Sequence, residues 1–514
     1  MDYIARGLAV EMRTGAVPVR LIRVQPDQLR PLCTAIYEAG GFIHALWASD
    51  HRKTAGGFLL RVALQDDVGL VVIELPLSGA TPHFPSIADI FPATGRMERA
   101  TYDLLGVRAE GGDQRPWVRH AAWPDNCFPL RHDYDPEPVQ PRADEHYPFV
   151  RVAGDGVHEI AVGPVHAGTI EPGHFRFSVV GEKVLRIEER LGYTHKGVEK
   201  RFAMLPAFEA NKLAARVSGD SAVAFSWAYC MALEMVCGIN VPPRAAWLRA
   251  LYLERERIAN HLGDLGALGN DAGFGIALAQ FSRLKEDLLR VNQTALGTRY
   301  LMDAIVPGGV AHDLDETQRQ LLLATIPGIE SDLNTLSEIY DDHAGLQDRF
   351  SGTGRVTPTL ARQLGLVGLS GRASGQTWDA RCDPAYAPYD AFDVRMAGSL
   401  DGDVAGRVSV RFQEVFESLR LSRILLEQLP STPYLGALPD AAPGGFGVGL
   451  VEGWRGPVLV ALETDDHGGI LRCYPHDPSW QNWPVIEHAM IGNIVPDFPL
   501  INKSFNLSYS GQDL

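Results

Sequence analysis

Two serines, Ser218 and Ser221, lie three positions apart in the sequence R-V-S-G-D-S, where their side-chain chemistry is informative. A serine hydroxyl stays protonated at neutral pH and exchanges hydrogen bonds, whereas a cysteine thiol ionises at about pH 8.5 and gives a soft anionic ligand. Hard hydroxyl oxygens suit nickel and low-valent iron poorly. The pair therefore indicates hydrogen bonding instead of soft-metal binding. Taken alone, the six residues are also typical of a polar turn before a helix.

The segments on both sides of this turn form an ordered series of motifs. They are G-P-V-H at 163–166, E-P-G-H-F-R at 171–176, G-Y-T-H-K-G-V-E-K at 192–200, G-I-N-V-P-P-R-A at 238–245, E-R-E-R-I-A-N-H-L at 254–262, G-R-A-S-G at 371–375 and G-N at 492–493. In this order and spacing they resemble the large subunit of energy-converting membrane-bound hydrogenases, and its relative, the quinone-site subunit of respiratory complex I. The likeness runs from about residue 163 to the C-terminus.

The first part of the chain has a likeness of its own. Its motifs are F-P-S-I at 84–87, I-F-P at 90–92, E-R-A-T-Y-D-L-L-G-V at 98–107 and F-P-L-R-H-D-Y at 128–134. They resemble the small peripheral-arm subunit of complex I that packs beside the quinone-site subunit. Membrane-bound hydrogenases of the formate-hydrogenlyase type carry the two fused in this order, so the resemblance covers almost the whole chain.

The resemblance implies that the metal ligands have been replaced. In the hydrogenase family two cysteine pairs hold a nickel-iron centre, and the second pair lies in a D-P-C-x-x-C motif near the C-terminus. That motif aligns with residues 506–511, so the four ligand positions are Ser218, Ser221, Ser508 and Gly511. With all four sulfurs absent, we expect this chain to bind no nickel or iron.

The quinone contacts of the complex I relative are also altered. In that relative a histidine in a G-P-x-H-P-S-T-H-G loop and a tyrosine at the start of the next helix hold the quinone head. His166 matches the first histidine of the loop and not the quinone-facing one, and Gly219 stands near the position of the tyrosine. The resemblance leaves Glu171 or His174 to substitute in the same cavity.

Polar and ionisable residues are predicted to line one cavity between segments 163–176, 216–221 and 506–511. The candidates are His166, Glu171, His174, Glu199, Ser218, Asp220, Ser221, Asp271, Arg372 and Ser508. Burying so many ionisable groups without a role is costly, which favours a proton or ligand path. Asp220 and His174 are the expected proton carriers. The alternative is that each residue is hydrogen-bonded and structural.

A proline-rich stretch divides the chain into two parts. The sequence D-P-E-P-V-Q-P-R at 135–142 can form neither a helix nor a central strand, so it is typical of a linker. We expect a domain similar to the complex I peripheral-arm subunit at 1–134, a linker at 135–148, and a domain similar to the hydrogenase large subunit at 149–514. The predicted fold class is α+β: a small N-terminal α/β sandwich-like domain and a mainly helical bundle domain with a small antiparallel sheet.

Hydrophobic spacing predicts the elements of both parts. In the first, a helix is expected at 27–39 and paired strands at 58–64 and 70–75. In the second, strands are expected at 159–162 and 175–180. Five long helices should follow, and antiparallel helices of this length imply a bundle core. They are expected at 222–236, 244–268, 277–303, 316–342 and 407–429.

Composition limits the function classes. A chain of 514 residues is too long for one core, and a net charge of −16 argues against a nucleic-acid partner. The six cysteines form no C-x-x-C pair and fit free thiols in a reducing compartment. Without an apolar run of about 18 residues or a signal-peptide start, we expect a cytoplasmic protein. The resemblance adds docking on the inner face of the membrane through partner subunits.

The resemblance implies an oxidoreductase subunit of the hydrogenase or NADH–quinone oxidoreductase type that is not active alone. NAD binding, quinone binding and proton translocation are activities of such complexes. No cofactor is expected on this chain except a quinone, and iron-sulfur clusters should lie in partners. The implied partners are a small iron-sulfur subunit and membrane subunits of the antiporter-like and quinone-channel-like kinds. The alternatives are a redox-inactive scaffold that couples a soluble module to ion-translocating subunits, and a metal-free module that binds a small molecule or a CO2-related ligand.

Overall fold

The structure of the chain, a computed structural model, describes residues 3–4, 7–54, 56–79, 81–119, 121–135, 144, 146–165, 171–440 and 442–514. Within these residues, a region built on a five-stranded sheet comes first, and a region in which long helices dominate follows it. The predicted α+β class is therefore confirmed. No helix of the described part is both long enough and apolar enough to span a membrane.

The N-terminal sheet has the strand order β1–β2–β5–β4–β3. Strands β2 and β5 run parallel, and the other neighbours run antiparallel. The predicted strand pair is confirmed as β4 and β5, whose side chains are buried on both faces. The elements of this region are β1 Val10–Arg13, β2 Val19–Arg23, α1 Pro26–Glu38, β3 Phe42–Asp50, β4 Phe58–Gln65, β5 Leu70–Leu77, β6 His83–Pro85, α2 Thr94–Leu105 and β7 Arg108–Glu110.

Two antiparallel three-stranded sheets support the second region. The first opens it with the order β10–β9–β8, and the second lies near the C-terminus with the order β13–β14–β15. Only the first was expected from the sequence. The strands are β8 Val157–Val162, β9 His174–Val180, β10 Lys183–Arg190, β11 Ile305–Val306, β12 Gly309–Val310, β13 Gly445–Glu452, β14 Pro457–Thr464 and β15 Ile470–His476.

Four long helices pack into the predicted bundle. They are α6 Pro243–Asp271, α7 Gly275–Leu296, α8 Glu316–Asp342 and α12 Val404–Glu427. The apolar stripe of α6, which includes Leu248, Ile258 and Leu265, is fully buried. The prediction of a helix to residue 303 was wrong at its end. Gly297 adopts a φ of 80°, and a glycine in this left-handed conformation ends α7.

The remaining helices are short, apart from α5, which packs directly on β13 and β14. They are α3 Val198–Phe202, α4 Asn211–Ala214, α5 Ala222–Cys237, α9 Ala344–Phe350, α10 Pro358–Leu364, α11 Gly368–Ala373, α13 Ser479–Ala489, α14 Phe498–Phe505 and α15 Tyr509–Asp513. Two segments predicted to line the cavity lie beside these helices. Residues 216–221 lead into α5, and residues 506–508 connect α14 to α15.

The N-terminal region and the C-terminal sheet share one hydrophobic core. Trp47 of β3 stacks on Tyr474 of β15, with ring centroids 5.1 Å apart. The Arg472 guanidinium donates to the backbone oxygen of Ala48, 3.2 Å away. Most of the predicted linker lies outside the described residues. The division into 1–134, 135–148 and 149–514 therefore stays a prediction.

Candidate functional site

The turn before α5 presents Ser218, Asp220 and Ser221. Glu256 of α6 anchors the start of this helix, because its carboxylate accepts the backbone N–H groups of Val223 at 2.7 Å and Ala224 at 3.2 Å. These N–H groups have no partner within the helix itself, so a carboxylate at this end stabilises it. The turn is therefore held at a fixed place against the bundle.

The C-terminal segment between α14 and α15 presents Ser508. Asn506 ends α14 with a φ of 46°, and Ser508 caps α15 by accepting the N–H of Gly511 at 2.9 Å. The indole N–H of Trp483 donates to the backbone oxygen of Ser508 at 3.2 Å. The capping bond directs the Ser508 hydroxyl inward.

These two segments, far apart in sequence, meet at their hydroxyls. The Oγ atoms of Ser218 and Ser508 lie 2.8 Å apart. Ser218 donates to Oδ1 of Asp220 at 2.8 Å, so Ser508 can donate to Ser218 in turn. The predicted convergence of the two segments is confirmed for this pair. Because the hydroxyls touch directly, no water or ligand fits between them, which differs from the open cavity that we expected.

Asp220 forms a two-pronged ion pair with Arg455. Nη1 and Nη2 of Arg455 lie 2.7 and 2.5 Å from the two carboxylate oxygens, and the guanidinium stacks over Trp454. Burial opposes the charge of Asp220, but Arg455 and Ser218 outweigh it and hold the pKa at about 2. The expected role of Asp220 as a proton carrier does not fit this pKa, since the carboxylate stays ionised near neutrality. The Asp220 side chain is 38% exposed and forms the open edge of the site.

Asp477 lies beneath this pair and is almost fully buried. Its Oδ1 accepts the N–H of Ser479 at 2.8 Å, whereas its Oδ2 has no hydrogen-bond partner among the described residues. Burial raises the pKa of Asp477, although the charge of Arg455 opposes the shift. The pKa values of the two carboxyl groups are therefore shifted in opposite directions, that of Asp220 downward and that of Asp477 upward. We refer to Ser218, Asp220, Ser221, Arg455, Asp477 and Ser508 as the polar cluster.

The four positions that align with metal ligands supply no sulfur. Three are hydroxyls, and the fourth, Gly511, has no side chain. A Cβ atom at position 511 would lie 2.5 Å from Oδ2 and 2.8 Å from Cβ of Asp477, so Asp477 fills the space of a fourth ligand. This donor set does not fit the thiolate-held metals that the resemblance implies.

The other residues predicted on the first loop lie apart from the polar cluster. His166 is outside the described residues. Nδ1 of His174 lies 3.0 Å from the backbone oxygen of Gly163, and the ring packs against Phe149. Glu171 is half-buried at the end of the loop. The loop nevertheless reaches α15, because a Cβ atom at position 173 would lie 2.7 Å from the ring of Tyr509.

Two further predicted residues have separate surroundings. Glu199 of α3 pairs with Arg472 of β15 at 2.8 Å, in the contact between β15 and the N-terminal region. Asp271 is exposed in the last turn of α6. Neither forms a hydrogen bond or ion pair with the polar cluster within the ranges that the structure describes.

Arg372 belongs to a buried ionic network behind the cluster. Its guanidinium lies 2.7 Å from both Glu414 and Glu452 and 3.4 Å from Asp379. Glu414 in turn lies 2.8 Å from Nε2 of His261. Burial raises the pKa of Glu452 to about 7. The ring of His261 meets Trp454, which adjoins Arg455, so the network and the polar cluster are neighbours.

Arg455 and Asp477 were not predicted from the sequence. Neither belongs to a motif that carries the resemblance, and both follow strands of the C-terminal sheet, which was not predicted either. Asp477 follows β15 and precedes Pro478 at the start of α13. The Asp-Pro pair at this junction between a strand and a helix is the sequence signal that could have indicated Asp477.

Two regions of the chain match family models. Residues 22–140 match the respiratory-chain NADH dehydrogenase 30 Kd subunit, and residues 271–444 match the 49 Kd subunit. Formate hydrogenlyase subunit 5 of Escherichia coli (strain K12) is 30% identical over 93% of this chain and 85% of its own length. The chain belongs to this fused hydrogenase and complex I large-subunit family. The resemblance expected from the motifs is confirmed.

Other relatives span both branches of the family. Hydrogenase-4 component G of Escherichia coli (strain K12) is 31% identical over 96% of this chain and 87% of its own length. The C/D subunit of NADH-quinone oxidoreductase from Bacteroides thetaiotaomicron is 29% identical over 74% of this chain and 76% of its own length. A chain in the structure of the membrane-bound sulfane sulfur reductase (MBS), an archaeal respiratory membrane complex, matches with a TM-score of 0.66. At 24% identity, with 71% of this chain and 100% of that chain covered, it supports the fold alone.

Proposed function

We propose that this chain is the hydrogenase-like large subunit of a membrane-associated oxidoreductase complex in which the polar cluster replaces a metal centre. The family membership supports the assembly, since relatives are named as components of hydrogenases and of NADH-quinone oxidoreductase. The hydrogen-bonded contact between Ser218 and Ser508 supports the site, because it joins the two segments whose cysteines hold metal in the hydrogenases.

The proposed chemistry is proton delivery to an electron acceptor of the quinone type. Asp220 is half-exposed, so an acceptor would approach the cluster from that edge. Arg455 and the hydroxyls would orient its carbonyl oxygens through hydrogen bonds. Reduction to the quinol takes up two electrons and two protons. Asp477, whose pKa is raised by burial, would supply one proton, and the other would come from solvent at the open edge. The electrons would come from an iron-sulfur cluster in a small partner subunit, because the chain's own free cysteines are scattered.

The proposed assembly follows the same relatives. The chain would lie on the inner face of the membrane and contact a small iron-sulfur subunit. Membrane subunits of the antiporter-like and quinone-channel-like kinds would connect it to proton translocation. The network of Arg372, Glu414 and Glu452 adjoins the cluster and gives a second buried proton site at which a path toward such subunits would begin.

The test uses the intact complex with its chemically reduced iron-sulfur partner and a soluble quinone analogue as acceptor. Asp477→Asn keeps the size of the side chain and removes the acid, so reduction of the analogue should slow by about tenfold or more. Asp303→Asn is the matched control, because Asp303 is an exposed carboxylate that pairs with Arg216 outside the cluster. Both variants should assemble normally. An Asp477→Asn rate equal to that of the control would contradict proton delivery from this residue.

The absence of a metal role is tested separately. Elemental analysis of the purified complex should find no stoichiometric nickel and no iron beyond that of the iron-sulfur partner. About one nickel per chain, lost in the Ser218→Ala and Ser508→Ala variants, would overturn the proposal because hydroxyls would then be shown to hold metal.

A redox-inactive scaffold is the second candidate. The direct contact between Ser218 and Ser508 favours it, since a filled site has no space for a ligand between these residues. The same experiment separates the two functions. A complex that assembles and translocates ions but does not reduce the quinone analogue would support the scaffold.

A further inference from the structure

A cavity of about 260 Å³ lies between α6 and α7, on the far side of the turn that carries Asp220. The lining includes Gly219 and Asp220 of this turn, and residues 299–301 after α7 close another side. Its carboxyl-bearing and cationic side chains are Asp220, Arg255, Glu256, Lys285 and Arg299. We call it the α6–α7 cavity. A volume of this size accommodates a small organic molecule.

Arg255 is the main reason to expect a ligand in this cavity, because no carboxylate pairs with its buried guanidinium. It is 1% exposed. Its Nε donates to Oδ1 of Asn292 and its Nη2 donates weakly to the backbone oxygen of Leu288, while Nη1 has no partner among the described residues. Burial lowers the pKa of Arg255 to about 10, so the guanidinium is still charged at neutral pH. A buried unpaired charge is costly unless a ligand compensates it.

Comparison with other buried arginines shows that this arrangement is unusual in the chain. Five of them have a carboxylate oxygen within 3.2 Å: Arg249, Arg257, Arg372, Arg381 and Arg411. Arg407 has no ion pair within the described part of the chain, but each of its three nitrogens donates to an oxygen atom. Arg255 differs from all six because it lines a cavity with one nitrogen left over.

Lys285 adds a second cation to the same cavity. It is half-buried on α7 and forms no ion pair or hydrogen bond with any residue that the structure describes. Its side chain crosses α6 at Gly263, where a Cβ atom would lie 2.9 Å from Nζ. The absence of a side chain at Gly263 therefore lets Lys285 reach over α6.

The acidic groups on the lining are already engaged elsewhere. Glu256 accepts the backbone N–H groups at the start of α5, and Asp220 is paired with Arg455. The third cation, Arg299, is neutralised by Glu286 at 2.6 Å. Arg255 and Lys285 are therefore the uncompensated charges, and both are positive.

We propose that the α6–α7 cavity binds a small organic anion whose carboxylate or phosphate group contacts Arg255, with Lys285 as a second cation on the same lining. The planar guanidinium favours such groups because two of its N–H donors match two oxygens. Ala259, Leu289 and Leu301 supply apolar surface for a short carbon chain. The site does not rest on the proton-delivery proposal, although Asp220 of the polar cluster also lines this cavity.

The experiment is calorimetric titration of the full-length chain with inorganic phosphate, succinate or butyrate, at constant ionic strength in chloride. Binding of phosphate alone assigns a phosphate site, and binding of succinate or butyrate assigns a carboxylate site. Lys285→Gln should weaken binding by about tenfold or more, as expected for loss of a charge-assisted hydrogen bond. Arg283→Gln, which removes an exposed cation of the same helix that pairs with Asp332, is the matched control and should bind like wild type.

Arg255→Met tests the site independently of Lys285, because it removes the buried guanidinium itself. An uncompensated buried charge destabilises the chain, so this variant should unfold at the same or a higher denaturant concentration while binding is lost. The proposal is overturned if none of the three anions binds to the wild-type chain, or if Arg255→Met and Lys285→Gln both bind as tightly as Arg283→Gln. These measurements need no electron donor or acceptor, so their failure is distinct from failure of the proton-delivery proposal.

Discussion

Asp477 lies beside Gly511, the last of the four positions that the resemblance aligns with metal ligands. The other three positions are serines, which differ from cysteine by one atom. The fourth position differs, because the Asp477 carboxylate lies 2.5 Å from the place of a Cβ atom on Gly511. Any side chain at position 511 must displace a buried group with little freedom to move. The Asp477 carboxyl group therefore occupies the space that a side chain at position 511 would need.

This steric relationship predicts a coupled pair of substitutions. Gly511→Ala should destabilise the chain by about 1–3 kcal/mol through overpacking against Asp477. Asp477→Ala should remove the clash, so the double variant should be more stable than the sum of the single effects. Denaturant unfolding measures all three variants. Gly219→Ala is the control, because a Cβ atom there meets no atom within 4 Å. Strictly additive effects of the two substitutions would contradict the contact.

Glu452 predicts a pH dependence of stability. Burial raises its pKa from 4.5 to about 7, so the folded chain keeps a proton that the unfolded chain releases between these values. Stability should therefore fall as the pH rises through this window, by about 3 kcal/mol for a shift of this size. When unfolding free energies are compared from pH 4.5 to 7, Glu452→Gln should show a fall smaller than that of wild type by this amount. A remaining fall is expected, because burial also raises the pKa of Glu189 and of Glu256 to about 8. Glu182→Gln, a change at an exposed residue, is the control and should keep the wild-type dependence of unfolding free energy on pH. If both variants show the same dependence, the titrating group is not Glu452.

At the level of elements, the contact between α5 and β13 places the turn of Asp220 beside Arg455. The turn precedes α5, and Arg455 follows β13. The helix lies so close to the strand that Cβ atoms on Gly447 and Gly449 would overlap the backbone oxygens of Ala232 and Ala228. Glycine is therefore required at both positions for this approach.

Two glycines of β13 test how rigidly α5 packs on this strand. Gly449→Ala should cost about 3 kcal/mol or more, because the backbone oxygen of Ala228 cannot move aside without displacing α5. Gly445→Ala on the same strand should cost less than about 1 kcal/mol, since its Cβ atom meets only Val236 at 3.4 Å. Denaturant unfolding compares the two variants, and similar costs would show that α5 and β13 separate easily.

The sequence predicted the elements with strong local signals and missed those defined by distant packing. The helix expected at 316–342 has those bounds in α8, where Asp315 and Gln318 cap the start. The sheet of β13–β15 was missed because three glycines, Gly445, Gly447 and Gly449, weaken the strand pattern of β13. Burial on both faces is not the reason, since β4 and β5 are buried in the same way and were predicted. The meeting of Ser218 and Ser508 followed from the resemblance. Arg455 and Asp477 could not be found, because no local pattern shows which buried charges face each other.

At the level of the whole molecule, ion pairs join the N-terminal sheet to the second region. Glu463 of β14 contacts Arg61 at 2.6 Å and His51 at 2.7 Å, and it accepts the hydroxyl of Ser49. Arg96 of α2 pairs with Glu189 of β10 and with Glu487 of α13. Three elements of the second region thus each bind the N-terminal sheet or α2 by a buried or half-buried charge.

Glu463 predicts that acid weakens the link between the two regions. Its burial opposes the charge, but Arg61 and the hydrogen bonds from His51 and Ser49 hold the pKa at about 2, below the ordinary value of 4.5. A lowered pKa stabilises the folded chain above pH 4.5, and the contribution disappears as the pH falls from 4.5 to 2. For a shift of this size the contribution is about 3 kcal/mol at neutral pH.

Glu463→Gln should therefore lower the unfolding free energy at pH 7 by about 3 kcal/mol, because the buried Arg61 would lose one of its two carboxylate partners and keep only Glu74. The difference from wild type should shrink as the pH falls from 4.5 to 2, since the wild-type carboxylate is then protonated as well. Glu38→Gln, an exposed change on α1, serves as the control and should show no difference at either pH. If the Glu463→Gln difference stays constant across that range, the charge of Glu463 does not stabilise the contact. The two regions would then be joined by their shared apolar core, which does not titrate.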